Sequence, residues 1–243
     1  MDEAEALAGS AALLADRTRA GFCLALMDGR AWTVGELARH AGVAVSTASE
    51  HADRLVAGGL LAEHRQGRHR YLRLAGPEQA MLIETVAAAG HPRPAPPRSM
   101  AAAHRQRNLA FARTCYDHLA GTLGVALADG LIGNGLIDGL ALTERGRAAL
   151  RAAGIDPTAK PGRPALRDCV DWTERRLHLA GAVGAAICRH AFGAGWIERI
   201  GSGRAVRVTE EGVRGFERDL GVTIEVPGRS AAVPAVPAGA RPR

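Results

Sequence analysis

No apolar run in these 243 residues approaches the roughly 20 needed to cross a bilayer as a helix, so no membrane partner is expected. The opening Met1-Asp-Glu-Ala-Glu is acidic and unlike a secretory signal, which points to the cytoplasm. Cysteine is sparse. Four in a chain of this length do not make a disulfide scaffold, and in a reducing compartment they are expected as free thiols, buried residues or ligands. Also missing is any phosphate loop. The glycine-rich Asp129-Gly-Leu-Ile-Gly-Asn-Gly lacks the Gly-Lys-Ser/Thr ending and reads as a turn after a helix. No nucleophile elbow, orienting third group or oxyanion loop surrounds the Cys and His residues, so no enzyme is expected.

What is present is concentrated in residues 33–75. Thr33-Val-Gly-Glu-Leu-Ala-Arg-His-Ala-Gly-Val predicts a short helix opened by a capping box between Thr33 and Glu36 and closed at Gly42. Ala44-Val-Ser-Thr-Ala-Ser-Glu-His-Ala-Asp-Arg-Leu predicts a second helix. Its 3/4 spacing gathers Val45, Ala48, Ala52 and Leu55 on one face and leaves Ser46, Thr47, Glu50 and His51 largely on the other. Two β runs at 60–64 and 69–74, joined through Gln66-Gly67, complete a helix, turn, helix, wing pattern.

Such a unit suits DNA, because a helix fits the major groove while a wing lies along the backbone. Between His64 and Pro77 stand Arg65, Arg68, Arg70 and Arg73 with no acid, enough to neutralise several phosphates. Double-stranded DNA is therefore the expected partner. Ser46, Thr47, Ser49 and His51 are the expected base contacts, with Arg65, Arg68 and Arg70 on the wing.

These residues resemble the ArsR/SmtB family of winged-helix repressors. Asp16-Arg-Thr-Arg before Phe22-Cys-Leu-Ala-Leu matches that family's opening, Ser46-Thr-Ala-Ser its recognition-helix start, and Ala57-Gly-Gly-Leu-Leu its helix exit. The resemblance covers about residues 3–90. It implies a homodimeric repressor whose terminal helices, at about 4–15 and 77–89, form the dimer interface. The family's familiar metal sites are missing: Glu36-Leu-Ala-Arg-His40 holds no cysteine, and residues 77–90 hold no histidine. Sensing must therefore come from elsewhere in the chain.

Charge is uneven. Residues 1–90 carry nine arginines against eleven acids, whereas residues 91–243 carry 22 basic against 14 acidic residues. A second acid-free run, Arg93, Arg98, Arg105, Arg107 and Arg113, reads equally as an extension of the DNA footprint or as a solvated face. His91-Pro-Arg-Pro-Ala-Pro-Pro-Arg98 favours extended geometry and predicts a semi-rigid linker between a winged-helix domain at 1–90 and a second domain at 99–222. The tail at 223–243 is expected to be disordered.

The second domain repeats itself. His118-Leu-Ala-Gly-Thr-Leu-Gly recurs as His178-Leu-Ala-Gly-Ala-Val-Gly, and both copies carry Cys-x-Asp upstream, at Cys115 and Cys169. Thr143 and Thr209 open a closing helix in each, which predicts copies at about 113–153 and 167–220, each built as helix, hairpin, capped helix. The expected fold is mainly α with short β-wings, a winged helix-turn-helix domain followed by an α+β domain built from an internal duplication. Packing about a pseudo-twofold would bring Cys115, His118, Cys169 and His178 together as a Cys2His2 set for zinc or another transition metal. Cys115 and His118 fit helical i, i+3 spacing. Cys169 and His178 do not, and Asp171 with Glu174 also reads as a capping box. Metal ligation, a reactive thiol, an organic-ligand pocket and a purely structural role all remain open. Cys23 and Cys188, in apolar runs, read as core. The expected function is transcriptional repression under control of an effector, metal ion or small molecule. A thiol redox sensor and an effector-independent architectural DNA binder are the alternatives.

Overall fold

The computed structural model describes residues 2–67, 69–90, 97, 99–158, 163–201 and 203–227. Arg68, nearly all of the linker and the tail from 228 onward lie outside the described residues.

The N-terminal part runs α1 (Glu3–Leu14), α2 (Arg17–Leu26), β1 (Trp32–Thr33), α3 (Val34–Ala41), α4 (Val45–Ala57), β2 (Leu61–Gln66), β3 (His69–Leu74) and α5 (Pro77–Ala89). The capping box forms: the Thr33 hydroxyl accepts from the Glu36 amide while the Glu36 carboxylate accepts from the Thr33 amide. Gly42 ends α3 in the left-handed region at φ 70°, where a side chain would be strained, and so turns the chain into α4. Ala48, Ala52 and Leu55 bury the inner face of α4, and Leu37 and Ala38 meet them from α3. Val45 departs from the expected apolar face. It stands exposed, because the first turn of α4 projects past the hydrophobic core. The sheet order is β1-β3-β2, all antiparallel, with Gln66 opposite His69 across the wing tip and Gly67 at φ 58°.

The C-terminal part begins with α6 (Met100–Phe111). The same element order then occurs twice: β4 (Arg113–Cys115), β5 (His118–Ala120), α7 (Thr122–Gly133), β6 (Ile137–Asp138), β7 (Ala141–Leu142), α8 (Glu144–Ala152), and β8 (Arg167–Val170), β9 (Leu177–Ala180), α9 (Gly181–Gly193), β10 (Ile197–Arg199), β11 (Val206–Val208), α10 (Glu210–Leu220). Thr143 and Thr209 cap the closing helices as expected. Each half nevertheless starts with a hairpin where a helix was expected. Only Tyr116-Asp117 separates Cys115 from His118, the length of a tight hairpin, and Tyr116 takes the left-handed conformation at φ 60°. The helix starts only after His-Leu-Ala, at Gly121 and Gly181, whose φ of 78° and 84° switch the chain out of the strand. The glycine-rich stretch at 129–135 is likewise helical through Gly133, with its turn only at Asn134 and Gly135.

The second glycine of each motif explains how the halves meet. A Cβ on Gly124 would stand 2.5 Å from the Leu119 carbonyl oxygen and 3.5 Å from the His178 Cβ; one on Gly184 would stand 2.3 Å from the Leu179 carbonyl oxygen and 3.3 Å from the His118 Cβ. The missing side chains let each hairpin lie on the other half's helix. Beneath them Leu123, Leu131, Val183, Trp196 and Phe216 form the main C-terminal core. Val222 and Ile224 are buried in it and Val226 packs against it, so the folded part extends beyond the expected boundary at 222.

The two parts are not separated as a semi-rigid linker would suggest. Cys115, Ala120, Cys169 and Ala180, all on the paired hairpins, belong to the same buried cluster as Phe22, Leu26, Leu55, Leu74 and Ile83 of the winged-helix part. Cys23 and Cys188 are buried in α2 and α9, as expected of core thiols.

Candidate metal centre and nucleic-acid interface

Helix α4 and the wing present the outward surface of the winged-helix part. Ser46 is exposed on the first turn of α4, and Thr47 and Ser49 are half-buried beside it. His51 is turned the other way. Its ring stands edge-on to Phe22 with Nδ1 3.7 Å from Asp16, so it packs against α2 and leaves the expected base-reading set. Arg70 is also committed within the protein. It reaches Asp53 on α4 at 2.6 Å and Glu63 on β2 at 2.6 Å, fastening the wing to α4. Arg65 keeps a largely exposed guanidinium with Glu63 3.5 Å away, and Arg73 is exposed. Arg113 is fully buried and cannot extend a DNA footprint.

The four Cys and His residues are brought together, but by sheet pairing. Cys115 is the cross-strand partner of His118, and Cys169 that of His178, so residues nine apart in sequence become neighbours without helical spacing. The two hairpins then face one another. Cys115 Sγ and Cys169 Sγ lie 3.9 Å apart, and the His118 and His178 Nε2 atoms 3.1 Å apart with stacked rings. One donor atom from each of the four residues lies within 4.8 Å of every other, and all four residues are buried.

Sequence reading missed the second layer. Asp117 Oδ1 stands 3.3 Å from His118 Nδ1, and the other oxygen, Oδ2, is paired with Arg163 at 2.7 Å. Asp171 Oδ2 stands 3.7 Å from His178 Nδ1. Asp171 does not cap a helix with Glu174. It orders the β8–β9 turn by accepting from the Thr173 and Glu174 amides, and it takes the Gly121 amide at 2.6 Å and Arg113 at 2.8 Å. The Cys-x-Asp recurrence was the available signal: in each half the Asp stands behind that half's own His.

Electrostatics follow this layout. The Cys115 thiol hydrogen bond, with the imidazoles of His118 and His178 beside it, holds Cys169 far below the ordinary thiol range; the same bond and its burial push Cys115 up. Burial alone would lower His118, but Asp117 and Cys169 raise it. Burial would raise Asp171, yet Arg113, Thr173 and the Gly121 amide hold it well below the carboxylate range.

The paired hairpins touch the winged-helix part directly. The Tyr116 amide donates to the Met27 carbonyl at the end of α2 at 2.7 Å, and a Cβ on Gly29 would meet the Tyr116 carbonyl oxygen at 2.6 Å. Arg199 reaches the Asp28 carbonyl at 3.1 Å. On α5, Glu84 is buried between Arg113 at 3.7 Å and Arg204 at 3.8 Å.

A family model described as a helix-turn-helix domain matches residues 14–64. The uncharacterized HTH-type transcriptional regulator YdfF of Bacillus subtilis (strain 168) is 38% identical over 225 residues, 90% of this chain and 98% of that one. Among solved structures, the homodimeric winged helix-turn-helix DNA-binding domain of Mb0332 from Mycobacterium bovis, a possible ArsR-family regulator, is 29% identical over 36% of this chain and 80% of its own, with a TM-score of 0.34. The ArsR family transcriptional regulator RHA00566 is 30% identical over 37% of this chain and 90% of its own, with a TM-score of 0.31.

Proposed function

The chain belongs to the HTH-type transcriptional regulators, carrying a helix-turn-helix DNA-binding domain, and from this we propose that it is a homodimeric repressor whose DNA affinity is set by an effector held in its C-terminal part. The observation that carries this reading is the shared buried cluster, in which the paired hairpins and the winged helix pack as one core. A change at the hairpins is therefore a change in the packing beneath α2 and α5.

In this reading Ser46, Thr47 and Ser49 at the start of α4 meet base edges, and the exposed Arg65 and Arg73 meet phosphates. Dimerisation is supported by apolar surface on the terminal helices. Leu7 is 72% exposed on α1, where no residue is buried, and Met81, Leu82 and Val86 are exposed on α5. A twofold through these helices would place two copies of α4 in successive major grooves about one helical turn apart. An effector that binds one conformation preferentially shifts DNA affinity by its differential binding energy, typically about 1–3 kcal/mol. Among the described residues no helix is long and apolar enough to cross a membrane. The cytoplasm is the compartment this role requires. No enzymatic activity is part of the reading.

Fluorescence anisotropy with a duplex from the protein's own upstream region, against a scrambled duplex at the same salt, tests it. The reading expects a preference on the order of a thousandfold and a dimer by light scattering. Equal affinity for both duplexes overturns specific repression.

A further inference from the structure

The effector left open above acquires a chemistry from the seam between the hairpins. We infer that Cys115, His118, Cys169 and His178 form a closed, four-coordinate centre for one borderline-soft transition metal ion of the zinc class per chain. The inference deepens the effector reading, and rests on it only for the ion's regulatory consequence.

The donor spacing carries it. Zinc bonds of 2.3 Å to sulfur and 2.0–2.1 Å to nitrogen, at tetrahedral angles, require about 3.8 Å between two sulfurs and about 3.3 Å between two nitrogens. The hairpins hold the sulfurs at 3.9 Å and the Nε2 atoms at 3.1 Å. Two thiols and two imidazoles in an apolar cluster would be replaced by aliphatic side chains if filling space were their only task.

The layer behind the donors is the second, independent observation. The two Nε2 atoms face one another, His118 Nδ1 is hydrogen-bonded to Asp117, and the buried His178 Nδ1, which has no hydrogen-bond partner among the described residues, stands 3.7 Å from Asp171. A carboxylate accepting from Nδ1, as Asp117 does for His118, fixes the tautomer that leaves Nε2 free as a ligand. Arg163 and Arg113 in turn hold those carboxylates away from the centre. Their oxygens are thus committed elsewhere, and an all-sulfur-and-nitrogen set disfavours magnesium and calcium, which take oxygen ligands. Cys115, His118, Cys169 and His178 are 1%, 4%, 6% and 0% exposed, which leaves no open position for water or substrate. Such a closed shell belongs to a structural or sensing ion rather than to a catalytic one.

The test uses the full-length protein, reduced and stripped by chelation, then exposed to stoichiometric zinc or cobalt. Zinc should bind at one ion per chain with a first shell of two sulfurs and two nitrogens by X-ray absorption. Cobalt should give the intense visible bands of a tetrahedral site and a near-ultraviolet thiolate charge-transfer band. Asp117→Asn, which leaves all four ligands in place, should weaken affinity by roughly 10- to 100-fold while keeping that first shell. Failure to retain zinc, or a shell of oxygen and nitrogen alone, overturns the centre, and wild-type protein suffices for that result even where ligand variants fail to fold. An ion bound in the expected shell without effect on DNA affinity upholds the centre and overturns the effector role.

Discussion

Arg113 and Asp171, fifty-eight residues apart in sequence, meet at 2.8 Å with both side chains fully buried. The same guanidinium nitrogen stands 3.7 Å from Glu84 on α5. Arg113 thereby lies between a carboxylate that backs a candidate ligand and one that belongs to the DNA-binding part. Glu84→Gln should leave zinc affinity within about threefold of wild type, yet reduce the zinc-induced change in DNA affinity from the roughly 5- to 150-fold typical of coupled sites to under about twofold. Paired chelator-competition and anisotropy titrations measure both. An undiminished response would place the coupling elsewhere, with the Tyr116 amide bond to Met27 the next contact to test.

Removing one partner of that buried pair isolates a charge. Arg113→Met should cost about 3–5 kcal/mol in urea unfolding. A loss below about 1 kcal/mol would mean that Asp171 is satisfied by its backbone and Thr173 donors alone.

The glycines on α9 separate close approach from helix propensity. Gly184→Ala places a methyl against the Leu179 carbonyl and the His118 Cβ, and should destabilise by about 1–3 kcal/mol. Gly193→Ala, at the end of the same helix, meets open space and should be neutral or stabilising by up to about 1 kcal/mol. Equal effects in thermal unfolding would refute the crossed packing of hairpins on helices.

On the DNA side the arginines divide. Arg65→Ala should weaken binding to all sequences and reduce the salt slope by about 0.9 if one phosphate contact is lost. Thr47→Ala should leave the slope unchanged and alter the preferred sequence. Arg70→Ala acts through its ties to Asp53 and Glu63, so its effect should depend on those acids being present, which a double-mutant cycle with Asp53→Ala reads.

The Thr33 amide and hydroxyl hold the Glu36 carboxylate below its usual value. A lowered folded-state value contributes stability that is complete above the ordinary carboxylate range and is lost as pH falls through the lowered one. Glu36→Gln should therefore flatten the acid limb of the stability profile between those two values. Thr33→Ala should cost about 0.5–2 kcal/mol at neutral pH.

The winged helix was legible because its signals are local: a capping box, a left-handed glycine and an alternating hairpin each act within a few residues. The side-chain choices on it were less so. His51 shares a face with Ser46 and Thr47 by spacing, and only the position of Phe22 on α2 turns it inward. Arg70 reads as a free cation until Asp53 and Glu63 are brought to it. The four-residue centre was legible as a set, since identical motifs sixty residues apart invite a paired arrangement, but its backbone was misread. Cys-x-x-His satisfies helical spacing and hairpin pairing alike, and three-residue strands carry too little alternation to decide between them. The carboxylates Asp117 and Asp171 were visible in the repeat. Their task depends on Arg163 and Arg113 approaching from outside each hairpin, which no local pattern encodes.

The most direct test is one anisotropy isotherm recorded twice: full-length reduced protein on its upstream duplex at fixed salt, stripped of metal and then loaded with one equivalent of zinc. The proposed control predicts affinities that differ by at least about fivefold, with the difference abolished in Cys169→Ser. Superimposable isotherms, with zinc bound at one ion per chain, would contradict control of DNA binding from the hairpin seam.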